Sequence, residues 1–194
     1  RLRVVPVDTP HVKHDHVDFV LDSGKVLRFH DPRRFGSVLW VGEDVANSKL
    51  LKNLGPEPFD ETLTAVALYR VSRGRKTSIK QFIMDGRVIV GVGNIYASEA
   101  LFRAKIRPGR AAGRVTLSRF GQLLDAIRQV LSEAIKAGGT TLRDYSRVTG
   151  EPGYFEQSLD VYERAGQPCV NCATVIRRKV IGQRASYYCP RCQI

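Results

Sequence analysis

Four cysteines stand in two pairs near the end of the chain, Cys169-Val170-Asn171-Cys172 and Cys189-Pro190-Arg191-Cys192, sixteen residues apart, and the sequence has no others. Two C-x-x-C knuckles at this separation match a tetrahedral zinc site, each knuckle presenting two thiolates from one side of a tight turn. Two disulfides in a secreted module are the competing reading. The rest of the chain has the length and apolar content of a core that needs no staples, which favours one Zn2+ ion. Four thiolates leave no open coordination position, so the metal is structural rather than catalytic. The span between the knuckles carries Arg177, Arg178, Lys179 and Arg184 and no acid. A metal-stapled loop that shows only positive charge points to a polyanion, with nucleic acid first among them.

Gly91-Val92-Gly93-Asn94-Ile95-Tyr96-Ala97 is the second candidate. Its glycines let the backbone turn sharply, and Asn94 is placed to cap a following helix that runs to about Ala104. A helix N-terminus attracts phosphate through its N–H groups. An ordinary helix–turn–helix corner is the bland alternative; an upstream helix over 76–84 bearing Lys76 and Lys80 tips the balance toward a phosphate clamp. The third candidate, His30-Asp31-Pro32-Arg33-Arg34-Phe35-Gly36, joins two predicted strands. Its tip reads equally as a wedge that unstacks a base step and as a turn with Phe35 in the core and Arg33 and Arg34 in solvent. His11, His14 and His16 lack a carboxylate or cysteine to complete a metal set, so a surface or phosphate-contacting role suits them better. No Walker loop, zinc-protease helix or serine nucleophile motif is present.

Across the whole chain, Lys and Arg outnumber Asp and Glu by 31 to 19 in 194 residues, a formal net charge of +12. The excess is clustered: residues 62–84 and 100–124 contain no acid, and the finger span makes a third such stretch. Three separate basic stretches favour a positive groove over solvated faces. No apolar run reaches membrane length, and no signal peptide is visible. The pattern predicts strands at the very start and over 15–42, with a turn at Ser23-Gly24 and a short strand at 37–41. It turns helical after Gly42 and breaks at Gly55-Pro56-Glu57-Pro58, a domain boundary. Helices follow over 60–137. The clearest, over 117–135, has Thr116 as N-cap and Gly138-Gly139 as stop. Residues 140–158 read as loop, and a short strand from Leu159 leads into the finger. The chain has no initial Met and opens inside a strand pattern, as if cut from something longer.

In order along the chain, these segments resemble formamidopyrimidine-DNA glycosylases, bacterial repair enzymes for oxidised purines. The likeness is carried by His14-Asp15-His16-Val17-Asp18, the 30–36 loop, Leu54-Gly55-Pro56-Glu57-Pro58, the run from Gly91 to Glu99, Gly182-Gln183-Arg184 and both cysteine pairs. It implies an α+β multidomain fold. A partial N-terminal β-sandwich would cover 1–55, a helix–two-turn–helix DNA-binding domain 56–158, and a C-terminal zinc-finger β-hairpin 159–194. It implies a monomer that holds double-stranded damaged DNA in a cleft between domains and flips the lesion nucleotide out of the stack. A cytoplasmic, nucleoid-associated setting follows, with no membrane. His14, Arg33, Arg75, Asn94 and Arg184 match the family's phosphate contacts, with Lys76 an alternative to Arg75. Arg33 and Phe35 match the residues that probe the opposite strand and wedge the duplex; Arg34 and Lys80 complete the basic set. Arg184 also matches a residue tied to the final elimination step, and residues 149–154 fall where a mobile loop covers the extruded base.

The family's nucleophile is an N-terminal proline, followed by a glutamate acid/base and assisted further on by a β-hairpin lysine; a methionine fills the void in the duplex. All four would precede Arg1. The expectation is a chain that binds damaged DNA without excising the base, derived from a glycosylase/AP lyase that removes 8-oxoguanine and formamidopyrimidines and nicks the strand by β,δ-elimination. A non-enzymatic zinc-finger DNA-binding module and a related oxidised-pyrimidine glycosylase are the other readings.

Overall fold

Alternating side chains build the first sheet. Strands β1 (Leu2–Pro6), β2 (Asp15–Val20) and β3 (Lys25–His30) pair antiparallel in the order β1–β3–β2, in a computed structural model that describes residues 1–45, 47–138 and 159–194. Gly24, at φ +71°, makes the β2–β3 turn. Pairing sets Leu2 and Val17 beside Phe29, and Val4 and Phe19 beside Leu27, which gathers the apolar side chains on one face. The opposite face is ionic, and it holds the better buried side chains. Arg28 is 1% exposed. Its Nε and Nη2 grip both oxygens of Asp18 at 2.8 and 2.9 Å, and its Nη1 donates to the Pro10 carbonyl. Charges are tolerated at such depth only when paired and hydrogen-bonded.

Two expectations about this region change. Residues 37–41 form no strand: Val38, Leu39 and Trp40 stand exposed, Trp40 at 96%. An apolar run becomes a strand only when a neighbour takes its backbone hydrogen bonds, and among the described residues none does. After Gly42 the chain makes successive turns instead of a helix, as in Ser48 N–H to Val45 O and Leu51 N–H to Ser48 O.

The helices follow their capping signals. Thr64 accepts the Ala67 N–H at the start of α1 (Ala65–Ser72), and Ser78 accepts the Gln81 N–H at the start of α2 (Ile79–Ile83). The expected 76–84 helix is therefore shorter, and Lys76 lies ahead of it. Then come α3 (Asn94–Arg103) and α4 (Leu117–Lys136). Thr116 Oγ1 accepts the Arg119 N–H at the start of α4, and Gly138 follows its end at φ +75°. Their apolar stripes meet in a core of Ile79, Phe82, Ile83, Leu101, Phe120, Leu123 and Ile127, all at most 2% exposed. Arg103 holds Glu133 with two bonds of 2.8 and 2.7 Å, which fastens α3 to α4. Arg128 donates to the carbonyls of Pro58, Asp60 and Leu63, and so ties the entry loop to α4.

The Gly55-Pro56 break lies inside this packing. Gly55 donates to the Gly86 carbonyl at 2.8 Å, and Val90 donates to the Pro56 carbonyl. A Cβ at Gly55 would stand 2.7 Å from the Val88 carbonyl carbon, so only glycine lets the two segments touch. The chain forms two compact units, one built on Arg1–Asp44, the other on Val45–Glu133 with Ser158–Ile194. The break is thus a contact within the second unit. The finger shares that unit with the helices. No strand forms at Leu159; β4 (Arg177–Ile181) and β5 (Arg184–Tyr188) make the hairpin. Phe102 of α3 packs in one cluster with Val161, Cys169, Ile176, Tyr187 and Cys189.

Gly55→Ala is expected to destabilise the helical unit by about 1–3 kcal/mol, the usual cost of forcing atoms into a filled site. The check is the denaturant midpoint at unchanged slope.

Candidate nucleic-acid interface and metal centre

The hairpin brings the four cysteines together as their spacing predicts. Their Sγ atoms all lie within 4.8 Å of one another. Cys192 stands 3.3 Å from Cys172 and 3.9 Å from Cys169, and Cys172 stands 3.5 Å from Cys189. Sulfurs bound to one tetrahedral zinc at about 2.3 Å are about 3.8 Å apart, so four thiolates in this arrangement fit that ion. Backbone groups support the knuckles: Ala173, at φ +58°, donates to the Cys169 carbonyl, and Cys189 donates to Gln193 Oε1.

Beyond the metal, the β4–β5 turn presents Arg184. Gly182 and Gln183 both have positive φ, +55° and +63°, the pattern of a two-residue hairpin turn whose twist matches its strands. Arg184 is exposed at its exit. Beneath it lies Lys80, and here one expected DNA contact moves. Lys80 is 1% exposed, and its Nζ donates to the Ala185 carbonyl and Ser186 Oγ, both at 2.8 Å. Burial, then the nearby Arg184 charge, pull its pKa down to about 8. Among the described residues no carboxylate partners this ammonium. Lys80 is turned inward because β5 offers two oxygens there, so it holds the hairpin rather than facing a duplex. Arg75 and Lys76 remain exposed. Arg75 donates to the Val71 carbonyl and lies 5.7 Å from the Phe82 ring centroid, which holds its guanidinium in place.

At the glycine corner, Gly93 occupies the cap position and Asn94 is the first helical residue, one place later than the capping role expected of it. Gly91, at φ +79°, makes the turn, and nothing crowds the Cα of Gly91 or Gly93. The open α3 terminus suits a phosphate oxygen. Asn94 Nδ2 lies 3.3 Å from the Tyr162 hydroxyl, and its buried Oδ1 has no partner. With the amide turned over, the Tyr162 O–H donates to Oδ1 and the NH2 takes the buried position that has no partner among the described residues. The sequence reading missed Tyr162. Its anchor is also non-local: Glu99, 0% exposed, accepts the N–H groups of Asp160, Val161 and Tyr162 at 2.8–3.1 Å. Burial holds the Glu99 carboxyl above the usual range although these three bonds oppose it.

The other unit carries the loop after β3. Asp31 accepts the Gly36 N–H at 2.7 Å and the Arg33 N–H at 3.2 Å. The tip between them points outward. Phe35 is 86% exposed, which excludes the core reading, and the Arg33 guanidinium sits 5.8 Å from its ring centroid. Arg34, at φ +55°, is exposed beside it. His14 is half-buried at φ +79°, and its carbonyl accepts the Asp31 N–H. Among the described residues the histidines join no metal cluster. Residues 149–154 lie outside the described residues.

Three family models cover most of the chain. The formamidopyrimidine-DNA glycosylase N-terminal domain matches residues 1–38, that family's H2TH domain matches 54–146, and the zinc finger found in FPG and IleRS matches 166–194. The formamidopyrimidine-DNA glycosylase of Syntrophotalea carbinolica is 60% identical over 192 residues, 99% of this chain and 71% of its own length. The chain belongs to the formamidopyrimidine-DNA glycosylase family. The enzyme of the same name from Alcanivorax borkumensis is 59% identical over the same shares. Among solved structures, the MutM (Fpg) protein of Thermus thermophilus superposes at TM-score 0.87 and 37% identity, over 99% of this chain and 72% of that one. The Lactococcus lactis Fpg in complex with DNA containing an abasic site does so at 0.89 and 32%, over 99% and 70%. The fold is the family's mixed α+β arrangement of N-terminal strands, helix–two-turn–helix region and finger, with one structural zinc ion. No helix among the described residues is long and apolar enough to cross a membrane.

Removing zinc with a strong chelator is expected to unfold the finger and abolish DNA binding, since structural zinc contributes about 10–16 kcal/mol of apparent binding energy to such modules. Circular dichroism and gel retardation on the same samples check it. Lys80 gives a pH signature. Its folded pKa of about 8 lies below the ordinary 10.5, so the unfolded chain holds the proton longer as pH rises through that window. Stability therefore rises there. Lys80→Met is expected to remove this rise, read as the difference between the two proteins' melting temperatures across the window.

Proposed function

We propose that this chain supplies the damaged-DNA binding of a base-excision repair enzyme for oxidised purines, 8-oxoguanine and formamidopyrimidines, in double-stranded DNA, whose reaction ends with cleavage of the abasic strand by successive β- and δ-elimination. The observation that carries it is the solvent-facing Phe35 beside the Arg33 guanidinium, on a loop braced by its own carboxylate. A repair protein of this kind must reach a base inside the stack. An aromatic wedge opens the step while arginines hydrogen-bond into the space left behind.

The two units contribute separately. The sheet unit supplies His14 for a phosphate and Arg33, Arg34 and Phe35 for the duplex interior. The helical unit supplies Asn94 at an open helix terminus, with Arg75 or Lys76, and Arg184 on the finger. Arg184 stands on a tight, metal-supported turn, which suits a residue that must meet a phosphate at a fixed place and assist the last elimination. One chain carries all of these contacts, which supports action as a monomer. A chromosomal substrate places the work in the cytoplasm, at the nucleoid.

Gel retardation on two duplexes tests this, one carrying a stable tetrahydrofuran abasic analogue opposite dC, the other undamaged. The full chain is expected to bind the lesion duplex more tightly, and Phe35→Ala to bring the two affinities together while binding to undamaged DNA persists. Equal affinity of the unaltered chain for both duplexes would overturn the proposal.

A further inference from the structure

The loop tip does not hold itself in place. Asp31, which closes the loop through Arg33 and Gly36, is fixed from β2: its N–H donates to the His14 carbonyl at 3.0 Å, and its carbonyl lies 3.0 Å from His16 Nε2. His14 and His16 flank Asp15, whose side chain is fully buried. Asp15 Oδ1 accepts Arg3 Nη2 of β1 at 3.0 Å and the Nδ1 of His30 at 2.7 Å, and Oδ2 accepts the Val12 N–H at 3.0 Å. Arg28 Nη1 lies a further 3.6 Å off, turned mainly to Pro10 and Asp18. A carboxylate can only accept, so His30 carries its proton on Nδ1. Asp15 opposes His30 where β2 and β3 shift register before Val17 pairs with Phe29. At that irregularity one carboxylate binds three strands and the turn before β2.

We propose that Asp15 is a positioning residue for lesion recognition: through His30, and through the His14 and His16 groups that receive Asp31, it sets the stance of the tip formed by Arg33, Arg34 and Phe35. This rests on the reading of that tip as the duplex probe. Asp15 bonds to Arg3, Val12 and His30, not to the tip itself. Its effect runs along β3, whose last residue it holds and whose next residue begins the loop. Two carboxylates thus act in series, Asp15 fixing the base of the loop and Asp31 its neck. Gly36 completes the neck, since a Cβ there would stand 2.7 Å from the Phe29 ring. The groups facing Asp15 are Arg3 from β1, His30 and Arg28 from β3 and the Val12 N–H; the His14 ring meets His30 edge-on at 6.2 Å. Burial opposes ionisation of Asp15, but the bonds from Val12, His30 and Arg3 outweigh it and hold the carboxyl at about 2. The site is therefore a fixed anion at any working pH.

Asp15→Asn preserves shape but sets an amide NH2 against a donor. It is expected to lower the ratio of lesion-duplex to undamaged-duplex affinity about ten-fold, the scale of a lost buried bond to a charged group, with binding to undamaged DNA retained. His30→Asn keeps a donor at the Nδ1 position and should hold the ratio near that of the unaltered chain; His30→Leu removes the donor and should lower it as Asp15→Asn does. In a Phe35→Ala background Asp15→Asn should change nothing further, because both act on the same tip. A merely structural role would give equal losses on both duplexes and additive effects. If Asp15→Asn unfolds the sheet unit, the two His30 variants decide alone. An unaltered ratio in Asp15→Asn and His30→Leu, or full additivity with Phe35→Ala, overturns the proposal. If Phe35→Ala itself leaves the ratio intact, it is the reading of the tip as duplex probe that fails.

Discussion

A buried carboxylate that accepts three consecutive backbone N–H groups is the joint on which the DNA-facing half depends. Glu99 belongs to the same helix that opens with Asn94, and it grips the backbone from Asp160 to Tyr162 as the chain returns toward the finger. The helix terminus, the tyrosine hydroxyl at Asn94 and the approach to the first zinc knuckle are thereby placed by one side chain. Lys80 repeats the principle with the opposite sign, a buried ammonium holding oxygens of β5. Neither group meets a counter-charge in these contacts; each is satisfied by fixed dipoles. That solution suits a protein with an excess of basic surface, because every acid spent inside leaves the exterior more positive.

Zinc and ion pairs divide the task between the two units. In the finger, the cysteine knuckles close a short chain around a small apolar cluster, and Arg184 stands at the exit of the Gly182-Gln183 turn. In the sheet, rigidity comes from Asp15, Asp18, Arg3 and Arg28 bonded across strands. Both devices brace a cationic tip, and a tip braced in advance needs less ordering on binding.

What the sequence revealed and what it hid divide along the range of the interactions. The zinc ligands were legible because four side chains at fixed local spacing suffice. The α4 boundaries were legible because Thr116 and Gly138 act on their immediate neighbours. The 37–41 run misled because apolar content cannot say whether a partner strand exists. The contact that Gly55 makes with residues 86–90 was hidden because it lies about thirty positions on. Lys80 looked like a surface cation because its partners lie more than one hundred residues away. Tyr162 went unnoticed for the same reason, its link to Asn94 spanning 68 positions. Phe35 was ambiguous until its exposure was known, since a phenyl ring in a loop carries no local mark of which way it faces.

The 37–41 stretch has a spectroscopic consequence. Trp40 is the chain's single tryptophan, and it stands almost wholly in solvent five residues beyond Phe35. The finger and the helical core carry tyrosines but no indole. Intrinsic emission excited at the red edge therefore comes from one short segment of the sheet unit alone. It is a site-specific label supplied by the sequence itself, deaf to the metal and to the helices, and silent about global unfolding in a fluorophore that is hydrated from the start.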